Sequence, residues 1–153
     1  MSRALNEVDV AVLDVERPRW IGSYRGFCHA ALEALGVRSS EVSVLVTGDA
    51  RMRELNRRYR GADRTTDVLS FCQEEPRGGA RREPLGDIVI SLQAMERNAA
   101  RFGVPPDQEI KRLTIHGLLH LRGWDHRTLP ERSRMHALEE ALLAKCGKEK
   151  VLP

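Results

Sequence analysis

Three of the five histidines fall within eleven residues, HGLLHLRGWDH, at His116, His120 and His126, with Gly123 between the second and third. On an α-helix, residues four apart differ by about 40° in direction and about 6 Å in height, so His116 and His120 can reach one ion from the same side. A glycine at 123 can end the helix and turn the chain, which lets His126 approach from outside it and complete a three-nitrogen set. Three neutral imidazoles leave a tetrahedral Zn²⁺ one position for water, the open arrangement of catalytic rather than structural sites. One zinc ion per chain is the expectation. His29 and His136, inside other helical segments, read as structural or solvated side chains.

The spacing matches the His-x-x-x-His-x-x-Gly-x-x-His pattern of metzincin proteases except at position 117, which is glycine where those enzymes carry a glutamate. That glutamate takes the proton from water and hands it to the leaving amine; without it peptide hydrolysis lacks its shuttle. A phosphodiester needs less of that service, because a cation itself stabilises charge on phosphoryl oxygens. Asp125, between Trp124 and His126, reads as a hydrogen-bond acceptor behind the ligands, a proton acceptor in catalysis or a turn residue. Trp124 reads as a packing residue, with a wall of the substrate cleft as the alternative.

A second concentration of chemistry runs from Arg51 to Arg64, where six arginines face only Glu54 and Asp63. Guanidinium groups stay charged and present a planar fork of donors that suits phosphate. Arg53, Arg57, Arg60 and Arg64 are the candidate nucleic-acid contacts, against the alternative of a solvated charged face. Arg60 stands apart: it falls at the expected helix end, before Gly61 and the polar run ADRTTD, where a side chain can point into a cleft.

The elements that must position these groups follow from periodicity. Val8–Val15, Glu41–Thr47, Asp67–Phe71 and Gly86–Ser91 read as four short strands. Trp20, Tyr24, Phe27, Ala31 and Leu35 form a helical stripe stopped by Gly36. Asp49 reads as the N-cap of a helix to about Tyr59, with Met52, Leu55 and Tyr59 facing the core. Residues 92–102 form a third helix ended by Gly103, and Asp107 to about Leu121 a fourth, with an apolar arc of Ile110, Leu113, Gly117, Leu118 and Leu121. Thr128 and Glu131 have capping-box spacing and open a fifth, carrying Met135, Leu138 and Leu142. Gln73–Leu85, rich in proline, glycine and mixed charge, reads as a long mobile loop. The whole, residues 1–153, is expected to be a single α+β domain.

Composition sets the outer limits. With 153 residues, 41% hydrophobic and 31% charged, the chain suits one core and argues against disorder. A net charge of +3 permits a nucleic-acid partner without demanding one. No stretch is apolar enough for a membrane span or a secretory signal, so the reading is cytoplasmic, with no membrane partner. Cys28, Cys72 and Cys146 are too scattered for a disulfide framework or a cysteine zinc site and read as small buried hydrophobes.

The histidine motif, together with LNRRYRGADRTTDVLSF at 55–71 and LGDIVIS at 85–91, resembles the YbeY family of bacterial metal-dependent endoribonucleases and ribosome-maturation factors. The likeness is close over roughly residues 40–126. It implies an α+β fold with a small mixed sheet, zinc on His116, His120 and His126, and a functional arginine at Arg60. It also implies action on ribosomal RNA precursors, especially at the small-subunit 3′ end, and a part in ribosome quality control, with small-subunit proteins as further partners. Two departures stand out: Trp124 replaces a usual tyrosine, and Cys72 replaces a usual proline. The expected function is a zinc-dependent, single-strand-specific endoribonuclease in which Arg60 and Asp125 serve catalysis. The rivals are a metalloprotease or amidase, and a noncatalytic assembly factor with a structural ion.

Overall fold

The computed structural model describes residues 5–73, 83–125 and 127–153. Four strands, β1 (Glu7–Val12), β2 (Ser40–Thr47), β3 (Val68–Cys72) and β4 (Glu83–Ser91), form one sheet in the order β1-β2-β4-β3. β1, β2 and β4 run parallel, while β3 pairs antiparallel with β4 and is an outer strand. Five helices complete the domain: α1 (Ile21–Ala34), α2 (Asp49–Arg60), α3 (Leu92–Phe102), α4 (Pro106–Leu121) and α5 (Leu129–Cys146). The α+β reading with four strands and five helices therefore holds, and the sheet is mixed.

Alternation along the strands divides the molecule into two layers of core. Val8 and Val10, Val42, Val44 and Val46, and Ile88 and Ile90 face α1, α4 and α5 in the larger core. Leu69 and Val89 face the opposite way, onto Met52 of α2. α4 is the central helix. Ile110, Leu113, Ile115, Leu118 and Leu119 are each at most 1% exposed, and burial of such side chains contributes about 1.5–3 kcal/mol apiece.

Several local expectations are corrected. β1 ends at Val12 rather than Val15, and β4 begins at Glu83, inside the segment read as a long loop; of that segment, 74–82 lie outside the described residues. Asp49 is the first residue of α2 rather than its cap, which is Gly48. Its carboxylate instead accepts from Thr65 and Ser91 and pairs with Arg97, whose guanidinium holds it below the ordinary carboxyl range. Tyr59 does not reach the core and is 58% exposed; Asn56 takes the buried place, donating to the Arg64 carbonyl at 2.9 Å. The Thr128–Glu131 capping box forms as read. Of the cysteines, Cys28 is buried, its thiol pushed up to about 12 by burial, whereas Cys72 is exposed.

Candidate active site

α4 delivers two of the three histidines. They project from its last two turns, and their Nε2 atoms stand 3.0 Å apart, with the ring centroids at 4.6 Å. His126 lies outside the described residues, so its position relative to this pair is not described. Among the described residues, no three potential ligand side chains converge. The helix ends at Arg122 in a Schellman arrangement: Gly123 N–H donates to the His120 carbonyl and Trp124 N–H to the Leu119 carbonyl, both at 3.0 Å. Gly123 has a φ of +90°, which only glycine adopts without strain, and this turn returns Trp124 and Asp125 to the cleft beside the histidines.

His116 is oriented from behind. Its Nδ1 lies 2.5 Å from Oε1 of Glu139, a carboxylate on α5 that is 5% exposed. A carboxylate acceptor there fixes the ring so that Nε2 presents its lone pair toward His120. Sequence reasoning missed Glu139, although a signal existed: it shares the buried face of α5 with Met135 and Leu142, and an acid at a core position requires a partner.

Gly117 has a second meaning that the metzincin comparison did not reach. A Cβ at 117 would sit 3.1 and 3.2 Å from Ile88 and 3.2 Å from Ser70 Oγ. Position 117 therefore faces the sheet, and Ser70 Oγ donates to the Gly117 carbonyl at 3.2 Å. The glycine is there because the helix lies tight on β3 and β4. Any larger residue at this position requires Ile88 and Ser70 to give by a few tenths of an ångström.

The histidines open onto a cleft of about 560 Å³ whose other walls include Arg60, Asp67, Ser70, Cys72, Trp124 and Asp125. Arg60 comes from the end of α2 and reaches over the outer strand, where Nη2 donates to the Ser70 carbonyl at 2.6 Å and the guanidinium lies 5.4 Å from the Phe71 ring. Of the four candidate arginines it is the one lining this cleft. Arg53 is paired with Asp63 at 2.9 and 3.3 Å, bracing the loop after α2, and holds that carboxyl below its ordinary range. Arg57 and Arg64 are exposed. Asp125, half-buried, is paired with the exposed Arg127 at 2.8 Å. Trp124 is 39% exposed, so it is a cleft wall and not a core residue. Asp67 is a further wall that the sequence did not single out; its carboxylate accepts from Asn98 on α3 and from the Val68 N–H, and its carbonyl accepts from the Ser91 N–H, which fixes the start of β3.

The donor chemistry fits a divalent cation. Zinc–nitrogen bonds of about 2.0–2.1 Å at a tetrahedral angle separate two nitrogens by about 3.3 Å, close to the 3.0 Å between these two Nε2 atoms.

Comparison with known proteins follows the same line. The sequence model of the family described as Endoribonuclease YbeY matches residues 8–147. A protein named Endoribonuclease YbeY from Aquifex aeolicus is 44% identical over 119 residues, 77% of this chain and 78% of its own length. One of the same name from Treponema pallidum subsp. pallidum is 38% identical over 146 residues, covering 92% and 89%. The solution structure of TM1509 from Thermotoga maritima superimposes with a TM-score of 0.57 over 90% of this chain and 89% of that one, at 23% identity; that likeness speaks to the fold.

Proposed function

From the premise that the chain belongs to the YbeY endoribonuclease family, we propose that it is a metal-dependent endoribonuclease that cleaves single-stranded RNA in ribosomal RNA maturation, with zinc as the ion. The observation that carries the reading is the pair of Nε2 atoms 3.0 Å apart in a cleft that Arg60 also lines. His116 and His120 would hold the cation, with His126 as the third ligand. When bound, the ion supplies positive charge that acidifies water and offsets charge on phosphoryl oxygens.

The chain's own side chains do the rest. Glu139 keeps the His116 ring in its ligating orientation. Arg60 spends one donor on the Ser70 carbonyl, which aims the fork, and directs the others at a phosphate oxygen whose charge grows in the transition state. Asp125, on the cleft rim and paired with Arg127 at 2.8 Å, would be the proton acceptor for the nucleophile. Asp67 and Ser70 shape the floor and tie it to α3 and α4.

A peptidase using the same imidazoles is disfavoured by Gly117, since the position that would carry its glutamate is a glycine packed closely on Ile88 and Ser70. A purely structural ion is disfavoured by α4, whose core contacts are apolar and need no cation. No helix among the described residues is long and apolar enough to cross a membrane; a cytoplasmic location is part of the proposal. A role in ribosome quality control and contacts with small-subunit proteins extend the same proposal.

The test is metal analysis of the purified chain beside cleavage of small-subunit precursor RNA. His120→Ala should lose the metal and the cleavage together, and metal retained by that variant would refute the ligand assignment.

A further inference from the structure

Among the described residues three large aromatic side chains are strongly exposed, Tyr59, Phe102 and Trp124. Two of them surround Arg60: Trp124 lines the same cleft, and Tyr59 precedes it on α2. Tyr59 belongs to a second hollow, of about 440 Å³, on the face of the sheet that α2 only partly covers. Its apolar walls are Tyr59, Phe71, Leu45 and Leu55. Asp9, Ser43, Asp87 and Phe71 cross its floor as one row of register partners.

Cleft and hollow stand back to back across the outer strand. Ser70 and Cys72 line the cleft, whereas Phe71 between them turns to the hollow, as strand alternation requires. Phe71 carries the Tyr59 ring edge-on at 5.4 Å and the Arg60 guanidinium at 5.4 Å. Arg60 thus bridges the two spaces over the strand edge.

Resting on the endoribonuclease reading, the geometry points to a nucleobase subsite in this hollow. With a phosphate of single-stranded RNA at Arg60, the neighbouring base turns over the edge of β3 and stacks on Tyr59 and Phe71. The lining decides the orientation. No lysine or arginine among the described residues lines the hollow, and Asp9 and Asp87 are exposed on its floor, so these described walls disfavour a phosphate. The hollow accepts instead a flat, uncharged ring whose N–H groups donate to those carboxylates. A base in a duplex is already stacked on both faces and cannot enter, so the subsite selects unpaired RNA.

The test uses the full chain in chelator, so that no RNA is cut, with fluorescence anisotropy on a short single-stranded oligoribonucleotide carrying one abasic nucleotide at each position in turn. In the unaltered chain one position should weaken binding by about 5- to 150-fold, the range for one stacked base. Tyr59→Ala should weaken binding of the intact oligonucleotide by a similar factor and erase the penalty at that position alone, while Tyr59→Phe keeps both. Because Tyr59 is 58% exposed, the variants should retain their circular dichroism. Tyr59→Ala binding like the unaltered chain, or keeping the same abasic profile, overturns the subsite. With metal restored, cleavage by the unaltered chain alongside a flat abasic profile refutes the subsite and leaves the nuclease reading standing. Neither binding nor cleavage overturns both.

Discussion

Replacing Glu139 probes how the metal pair is held. The carboxylate is 5% exposed and lies 2.5 Å from His116 Nδ1, on a different helix from both histidines. Glu139→Gln keeps the volume and a carbonyl acceptor but removes the charge; Glu139→Leu removes both. Acceptors of this kind typically contribute 10- to 100-fold to metal affinity, which is about 1.4–2.7 kcal/mol. The glutamine variant should fall near the lower figure and the leucine variant near the upper. Competition against a chromogenic zinc chelator reads the affinity, and a thermal melt run in parallel separates it from folding. The melt should move little, because losing one hydrogen bond costs about 1 kcal/mol, or about 2–4 °C in a domain of this size. Zinc affinity within twofold of the unaltered chain in both variants would refute the reasoning.

Arg60→Glu should retain the metal and lower cleavage by about 10²–10³-fold, the usual cost of losing a donor at a developing oxyanion; unchanged turnover would remove Arg60 from the mechanism. Chelation should abolish cleavage but leave the helical circular dichroism signal, whereas unfolding on metal removal would favour a structural ion. Gly117→Glu should lower the melting temperature through overpacking against Ile88 and Ser70, at about 1–3 kcal/mol or more, and a peptide-library digest should show no gain of peptidase activity. Asp107 gives a pH-dependent stability. Partial burial works to raise its carboxyl, but the Lys111 ammonium at 2.7 Å and the Val151 and Leu152 N–H groups prevail and hold it below the ordinary value. A depressed folded-state value stabilises above the unfolded pKa of about 3.9 and loses that contribution as pH falls through the folded value. Thermal melts from pH 7 to pH 2.5 should therefore show an acid-side loss that Asp107→Asn flattens.

Much of this protein is set by local sequence. Strand alternation and helical stripes mark eight of the nine elements to within about two residues at most ends, because each element buries one face whatever its partners are. β4 is the exception, since Glu83 and Pro84 pair with β2 inside a segment whose composition reads as loop. The spacing of His116 and His120 also suffices, since a helix alone brings residues four apart together. Tertiary structure decides what depends on a second element. The strand order places antiparallel β3 at the edge, and that lets Arg60 reach over it to the Ser70 carbonyl and line the histidine cleft. α5 crosses behind α4 to bring Glu139 to His116 over 23 residues of sequence. Gly117 looks like a missing catalytic acid in the sequence and is a packing requirement in the fold. Tyr59 has the spacing of a core residue, yet α2 covers too little of the sheet to bury it. Periodicity reports which face of an element is apolar; which surface lies opposite, and how near, is a property of the assembled sheet and helices.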